Sequence, residues 1–233
     1  MIRGAASALV VTLLGVLLAG LVAEHTESQA LRPLAKNYVT MAPQQLATPN
    51  VVTGILLNYR AFDTLGEVAV LFMAAAGIGL ILGGRADARG ALLAREPNAT
   101  VSSSEIVQSG AALLFPLIAI FGAYIIMNGH LSAGGGFQGG AVLASGVMLL
   151  LLARPSYPLN VGILGTTESL AGVLLVVAGI AGLIFSGGFL DSRVLPLGEF
   201  GSFFSAGAIP VLSVLLGIKV GCELSVIIDQ FRR

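Results

Sequence analysis

Six apolar runs, at about 4–23, 64–84, 106–127, 138–153, 162–186 and 202–228, constrain this chain more than any other feature. A segment in hydrocarbon finds no water for its backbone N–H and C=O groups and must pair them internally. Apolar runs of about 20 residues do this as helices. The expected fold class is therefore all-α: a polytopic integral membrane protein with about six transmembrane helices. Composition agrees, since 56% of the 233 residues are hydrophobic and only 10% are charged, whereas soluble domains carry about 25% charged residues. The first run, with its lone Arg3 and small residues near its end, also fits a signal peptide. Its length, near 20 residues, favours a retained first helix.

The connecting segments have distinct characters. Glu24–Asn50 holds Pro33, Pro43 and Pro49 and is too polar for lipid. It is expected at the surface, with a short helix around Leu31–Tyr38. Val51–Asn58 reads as an interfacial or re-entrant helix running into Tyr59-Arg60-Ala61-Phe62-Asp63. The second span is expected to end at Gly83-Gly84, before a basic loop with Arg85, Arg89 and Arg95. Ser102–Glu105 resembles a capping start for the third span. Pro116 and Pro210 predict kinks in the third and sixth spans. A loop with Asp191, Arg193, Pro196 and Glu199 precedes the sixth.

Arg3, Arg85, Arg89, Arg95, Arg154, Arg232 and Arg233 fall on one side of this topology, and Arg32, Lys36, Arg60 and Arg193 on the other. The positive-inside rule then puts both termini in the cytoplasm. The location implied is the plasma membrane of a prokaryote, with segment 24–63 facing outward.

Between the third and fourth spans lies Asn128-Gly-His-Leu-Ser-Ala-Gly-Gly-Gly-Phe-Gln-Gly-Gly140, with six glycines and an exposed-looking Phe137. Such a cluster suits a tight turn or close helix packing. Gly134, Gly135, Gly136, Gly139 and Gly140 are its structural core. The spacing formally meets a dinucleotide fingerprint, but a membrane helix precedes it and Leu150-Leu151-Leu152 follows where an acidic residue is required. A helix start whose small residues and free N–H groups accept a neighbouring helix or an ion is the better reading.

This string, with Phe115-Pro116 upstream, resembles the B subunit of Mrp-type multisubunit Na+/H+ antiporters over about 105–233. Asn50-Val-Val-Thr-Gly-Ile-Leu-Leu-Asn-Tyr-Arg-Ala-Phe-Asp-Thr-Leu-Gly-Glu67 is similar to the carboxy-terminal tail of the antiporter A subunit, and to a small subunit of membrane-bound hydrogenases. The resemblance implies two fused modules, a two-helix module at 1–98 and a four-helix module at 99–233. It implies a membrane subunit of a multisubunit cation/proton antiporter of the complex I-related superfamily, supporting assembly and contributing to an ion path. The alternative is a membrane-arm subunit of a hydrogenase or related redox-driven pump. The implied partners are the other subunits of that arm and the lipid bilayer, with Na+ and H+ as the transported ions.

An ionisable group within a span is costly, so each is a functional candidate. Glu67 is a candidate proton or sodium carboxylate, or a buried acid paired with Arg60 or with another subunit's base. The resemblance adds weight to the first, since Phe62-Asp63-Thr64-Leu65-Gly66-Glu67 matches the family motif. Glu168 has no basic partner on its own helix. Lys219 and Glu223, four residues apart, share one face; they pair, or snorkel to the headgroups. Asp63 and His130 complete the ion-path candidates, and a histidine near a membrane boundary can respond to external pH. His25 is a weaker candidate.

Catalytic constellations are not evident: there is no Ser-His-Asp set or paired catalytic acids. Two histidines and the single Cys222 are too few for zinc, haem or iron–sulfur ligation. No cofactor is expected, and the chain is read as a transporter subunit rather than an enzyme. Zero net charge argues against a nucleic-acid partner. A stand-alone transporter and a pure scaffold are the remaining readings.

Overall fold

The computed structural model describes residues 2–24, 30–93 and 103–232. His25, Arg95, Ser102 and Arg233 lie outside the described residues. The chain divides into two compact units, Met1–Asn37 and Tyr38–Arg233.

The first unit contains α1 (Ile2–Glu24) and the start of α2 (Pro33–Leu46). None of Ser7–Glu24 is buried. A helix apolar on every side matches lipid or other helices rather than water.

The second unit holds the rest of α2, a short α3 (Val51–Gly54) and a π-helical turn, Ile55–Tyr59. The long helices follow: α4 (Ala61–Leu93), α5 (Glu105–Met127), α6 (Gly136–Ala153), α7 (Val161–Ser186) and α8 (Ile209–Arg232). A 3-10 turn, Ser192–Val194, lies between α7 and α8. Among the described residues of the whole chain, six helices are long and apolar enough to cross a membrane.

Helix α8 is the hub of the second unit and packs on α4, α5, α6 and α7. Half of its spanning window is buried, against at most 39% for any other helix. Its approach to α6 explains much of the glycine content. A Cβ on Gly140 would lie 2.8 Å from the Gly217 carbonyl oxygen and 2.9 Å from Val220 Cβ. One on Gly221 would lie 3.4 Å from the Gly140 carbonyl oxygen. Gly136 and Gly140 thus lie directly against the Gly217–Gly221 backbone and bring the two helices together, while a Cβ on Gly217 would meet Ile126 of α5. Lipid tails are as apolar as leucine, so close packing rather than water exclusion drives such a contact.

The helix ends differ from expectation in three places. Helix α4 continues through Gly83-Gly84 to Leu93; the Ala, Arg and Leu that follow the glycines are good helix formers and carry it on. The cap of α5 is Ser104, whose hydroxyl accepts from the Val107 N–H at 3.4 Å. Helix α8 begins at Ile209 rather than near 202. Residues 202–208 instead form a loop tied by Ala206 N–H to the Leu197 carbonyl (2.8 Å) and Ala208 N–H to the Ser192 carbonyl (2.9 Å). Pro210 therefore sits in the first turn, where no intrahelical N–H is needed, rather than kinking a helix interior.

Candidate functional site

Alternating spans bring three connecting segments of the second unit to one end of its bundle: 47–60, 128–135 and 187–208. The first clasps the second through main-chain carbonyls. Asn50 Nδ2 donates to the carbonyls of Gly129 and Ser132, both at 2.7 Å, while its Oδ1 caps α3 by accepting from Thr53 N–H at 3.2 Å. Thr53 Oγ1 donates to the Gly129 carbonyl at 2.7 Å, and Thr48 Oγ1 to the His130 carbonyl at 2.7 Å. The third segment joins through Asn58 Oδ1, which accepts from Ser192 N–H at 2.8 Å.

His130 is 1% exposed. Its Nε2 lies 3.1 Å from the Phe203 carbonyl, so Nε2 carries the proton and donates. Nδ1 is buried without a partner among the described residues. Burial lowers the imidazole pKa, with the surrounding carbonyls opposing. Phe137 is half-buried and packs on the core cluster around Leu57, Leu212 and Leu216; it is not the exposed aromatic expected. Gly134 and Gly135 adopt φ of 153° and 146°, which a side chain would strain.

Glu67 is exposed on α4 and lines a groove of about 480 Å³. Thr53, Thr64, Gln138 and the glycines at the start of α6 share that wall. Arg60 pairs with Asp63, three residues on, rather than with Glu67; seven residues of helix place Glu67 two turns further along. Both members of the Arg60–Asp63 pair are well exposed, at 60% and 45%. Phe62 stacks on Phe189 with ring centroids 5.2 Å apart.

The other three candidates meet. Lys219 Nζ lies 2.9 Å from Glu168 Oε1 and 2.9 Å from Glu223 Oε2. The side-chain exposures are 7% for Lys219, 15% for Glu168 and 1% for Glu223. Snorkelling is thus overturned for Lys219 and Glu223: α8 is the central helix and these side chains face its neighbours. Glu168 finds its cation on α8, across the α7–α8 contact. The Phe72 ring of α4 lies under the ammonium, 5.9 Å from Nζ to the centroid. A cleft of about 520 Å³ between α4 and α7 is walled by Leu65, Phe72, Glu168 and Gly172 and reaches Lys219.

Sequence reasoning missed Asp191, which is 7% exposed and receives Arg193 Nε on both carboxylate oxygens, at 2.9 and 3.0 Å. That bonding holds its carboxyl below the usual aspartate range, against the effect of burial. Its signal was an Asx-type cap two residues before a basic residue. It also missed Asn50 and Thr53 as clasp residues; an Asn followed three residues on by Thr at a helix start reads only as a cap.

The fold and these buried ionisable groups define a multi-pass helical membrane protein with polar sites inside its span. The family model "domain related to MnhB subunit of Na+/H+ antiporter" matches residues 106–226, and the chain belongs to this family. A second model, for the E subunit of MBH, matches residues 2–92. A chain of the membrane-bound sulfane sulfur reductase (MBS), an archaeal respiratory membrane complex, is 36% identical with a TM-score of 0.81, covering 99% of this chain and 98% of that one. A chain of the Mrp complex from Dietzia sp. DQ12-45-1b is 26% identical with a TM-score of 0.74, over 98% of this chain but 26% of that one. The B subunit of the Na(+)/H(+) antiporter of Bacillus subtilis is 36% identical over 93 residues, 36% of this chain and 62% of that protein.

Proposed function

We propose that this chain is a membrane subunit of a multisubunit Na+/H+ antiporter complex of the complex I-related superfamily, supporting assembly and lending acids to an ion path. The observation that carries this reading is Glu67, a carboxylate on the outer face of a membrane-spanning helix, beside a groove walled by Thr53, Thr64 and Gln138. A carboxylate left against acyl chains is costly. A neighbouring subunit that closes the groove removes that cost and leaves a polar passage beside the acid. A hard oxygen ligand that can also take up a proton suits either transported ion. Asp63 and His130 are assigned to structure, the first with Arg60 and the second with Phe203. Glu168, Lys219 and Glu223 form the second ionisable site. The two modules, 1–98 and 99–233, are read as fused neighbours of one assembly in a prokaryotic plasma membrane, with both termini cytoplasmic.

Glu67→Gln in the whole complex tests this by Na+-dependent proton movement in inverted membrane vesicles. The expected result is normal assembly with transport abolished or sharply weakened, and Glu67→Asp retaining part of it. An assembled complex that transports like the parent overturns the ion role. Failure to assemble overturns it in favour of scaffolding.

The likeness to a chain of an archaeal respiratory complex over almost its full length supports a second reading, a subunit of a redox-driven pump. Nickel–iron or iron–sulfur chains co-purifying in mild detergent would favour it; antiporter subunits alone would favour the first.

A further inference from the structure

Glu168, Lys219 and Glu223 carry one positive and two negative charges when all are ionised, an excess of one negative charge inside a membrane bundle. Among the described side chains, the spans packed around the triad offer no second cation to balance it. Along its span α4 has only Asp63 and Glu67 as ionisable groups, α6 has none, α7 has only Glu168, and α5 has Glu105 at its start and Tyr124. On α8 itself, Cys222 lies near Glu168, Asp229, six residues beyond Glu223, has an interaction of its own, and Arg232 ends the helix nine residues beyond Glu223. Glu223 is 1% exposed and Lys219 7%, so neither offers a surface to a partner chain, and Glu168, at 15%, meets the outside only along the cleft wall. One oxygen of Glu223, Oε2, receives the ammonium; the other, Oε1, is buried and has no partner among the described residues. A buried carboxylate with a bare oxygen is poorly compensated, and a proton removes the charge without rearranging the triad.

We propose that Glu168, Lys219 and Glu223 form a proton-binding site that holds one exchangeable proton on the Glu223 carboxyl. Lys219 keeps its charge because it bonds both acids. Glu168, less deeply buried and on the wall of the cleft between α4 and α7, connects the site to that cleft. The proton brings the triad to zero net charge. Two carboxyls that share one ammonium titrate as a unit, so changing one acid changes the protonation of the other. The site stands on this charge count rather than on the subunit's place in an antiporter. Loss of transport with the proton retained counts against the proposed function alone.

Infrared difference spectra of the whole complex, purified with its native partners at neutral pH, test the count. Wild type minus Glu223→Gln is expected to reveal one protonated-carboxyl C=O band that moves to lower frequency in heavy water. Glu168→Gln is expected to abolish the same band although Glu223 is intact, because a single carboxylate then faces the ammonium. Lys219→Met is expected to raise the band about twofold, as both acids then neutralise themselves. A purely structural ion-pair cluster predicts none of these cross-effects. The proposal is overturned if no band separates wild type from Glu223→Gln or the band is insensitive to heavy water. It is equally overturned if Glu168→Gln retains the band or Lys219→Met leaves it unchanged.

Discussion

Asn50→Ala and Asn50→Asp should separate in a way that only the clasp geometry predicts. The Asn50 amide nitrogen faces two carbonyls, those of Gly129 and Ser132, each at 2.7 Å, and its oxygen faces the Thr53 N–H at 3.2 Å. Alanine removes all three bonds. A capping bond contributes about 0.5–2 kcal/mol and each of the two remaining bonds about 0.5–1.5 kcal/mol, so the loss is about 1.5–5 kcal/mol. For a unit of this size that is a fall of about 3–20 °C in melting temperature. Aspartate keeps the cap but turns an acceptor onto two carbonyl oxygens at hydrogen-bond distance. It should therefore be at least as harmful as alanine, although it is the closer isostere. The assay is thermal unfolding of the solubilised complex, with limited proteolysis at the 128–135 loop as a local readout. An aspartate variant as stable as the parent would refute the donor assignment, and with it the claim that this side chain holds the loop.

Four further outcomes follow from the packing and the ionisable groups. Gly140→Leu should separate α6 from α8 and abolish stable accumulation of the chain, since even a Cβ there meets Gly217 O at 2.8 Å; Gly165→Leu, with nothing within 4 Å, should be tolerated, and immunoblots of membranes compare them. Lys219→Met should destabilise by about 3–5 kcal/mol at neutral pH, because the buried acids must then hold protons that the unfolded chain does not bind; the deficit, measured by thermal unfolding, should shrink as pH falls into the ordinary carboxylate range and the unfolded chain takes up those protons too. Burial holds the His130 pKa below its usual value near 6.5. The unfolded chain therefore takes up a proton as pH falls through that value while the folded chain resists, and stability declines on the acid side. His130→Gln should flatten that limb in pH-dependent melting. Asp191, held low by Arg193, contributes stability above the unfolded aspartate value that is lost only as pH falls through its still lower folded value; Asp191→Asn should cost stability at neutral pH and little in strong acid.

The spans were legible because hydropathy and length set them, and most termini fell within a few residues. Direction around each helix axis was not. Lys219 and Glu223 were placed correctly along the chain, yet snorkelling remained open because nothing in a single sequence states which face of α8 is covered. Glu168 illustrates the same limit: its cation lies 51 positions away, on a helix whose adjacency is a property of the fold. The start of α8 was misplaced because Phe203 and Phe204 are as apolar as a span, while what stops the helix is local backbone. Ala206 has φ of 67° and Gly207 has φ of 58°, conformations incompatible with continuing a right-handed helix. Asn50 was legible only as a turn residue, since its acceptors are carbonyls of a loop some 79 and 82 residues away.

The clasp between residues 48–53 and the 128–135 loop is asymmetric in what can be mutated. Its donors are the side chains of Thr48, Asn50 and Thr53, joined by the Asn50 N–H, but all its acceptors are peptide oxygens. Every amino acid supplies that oxygen, so no substitution in the loop can delete it; only a distorted backbone can move it away. Genetic variation therefore reaches this joint from one side directly, and a screen for suppressors of Thr48, Asn50 or Thr53 variants should return changes in loop shape rather than replacement partners.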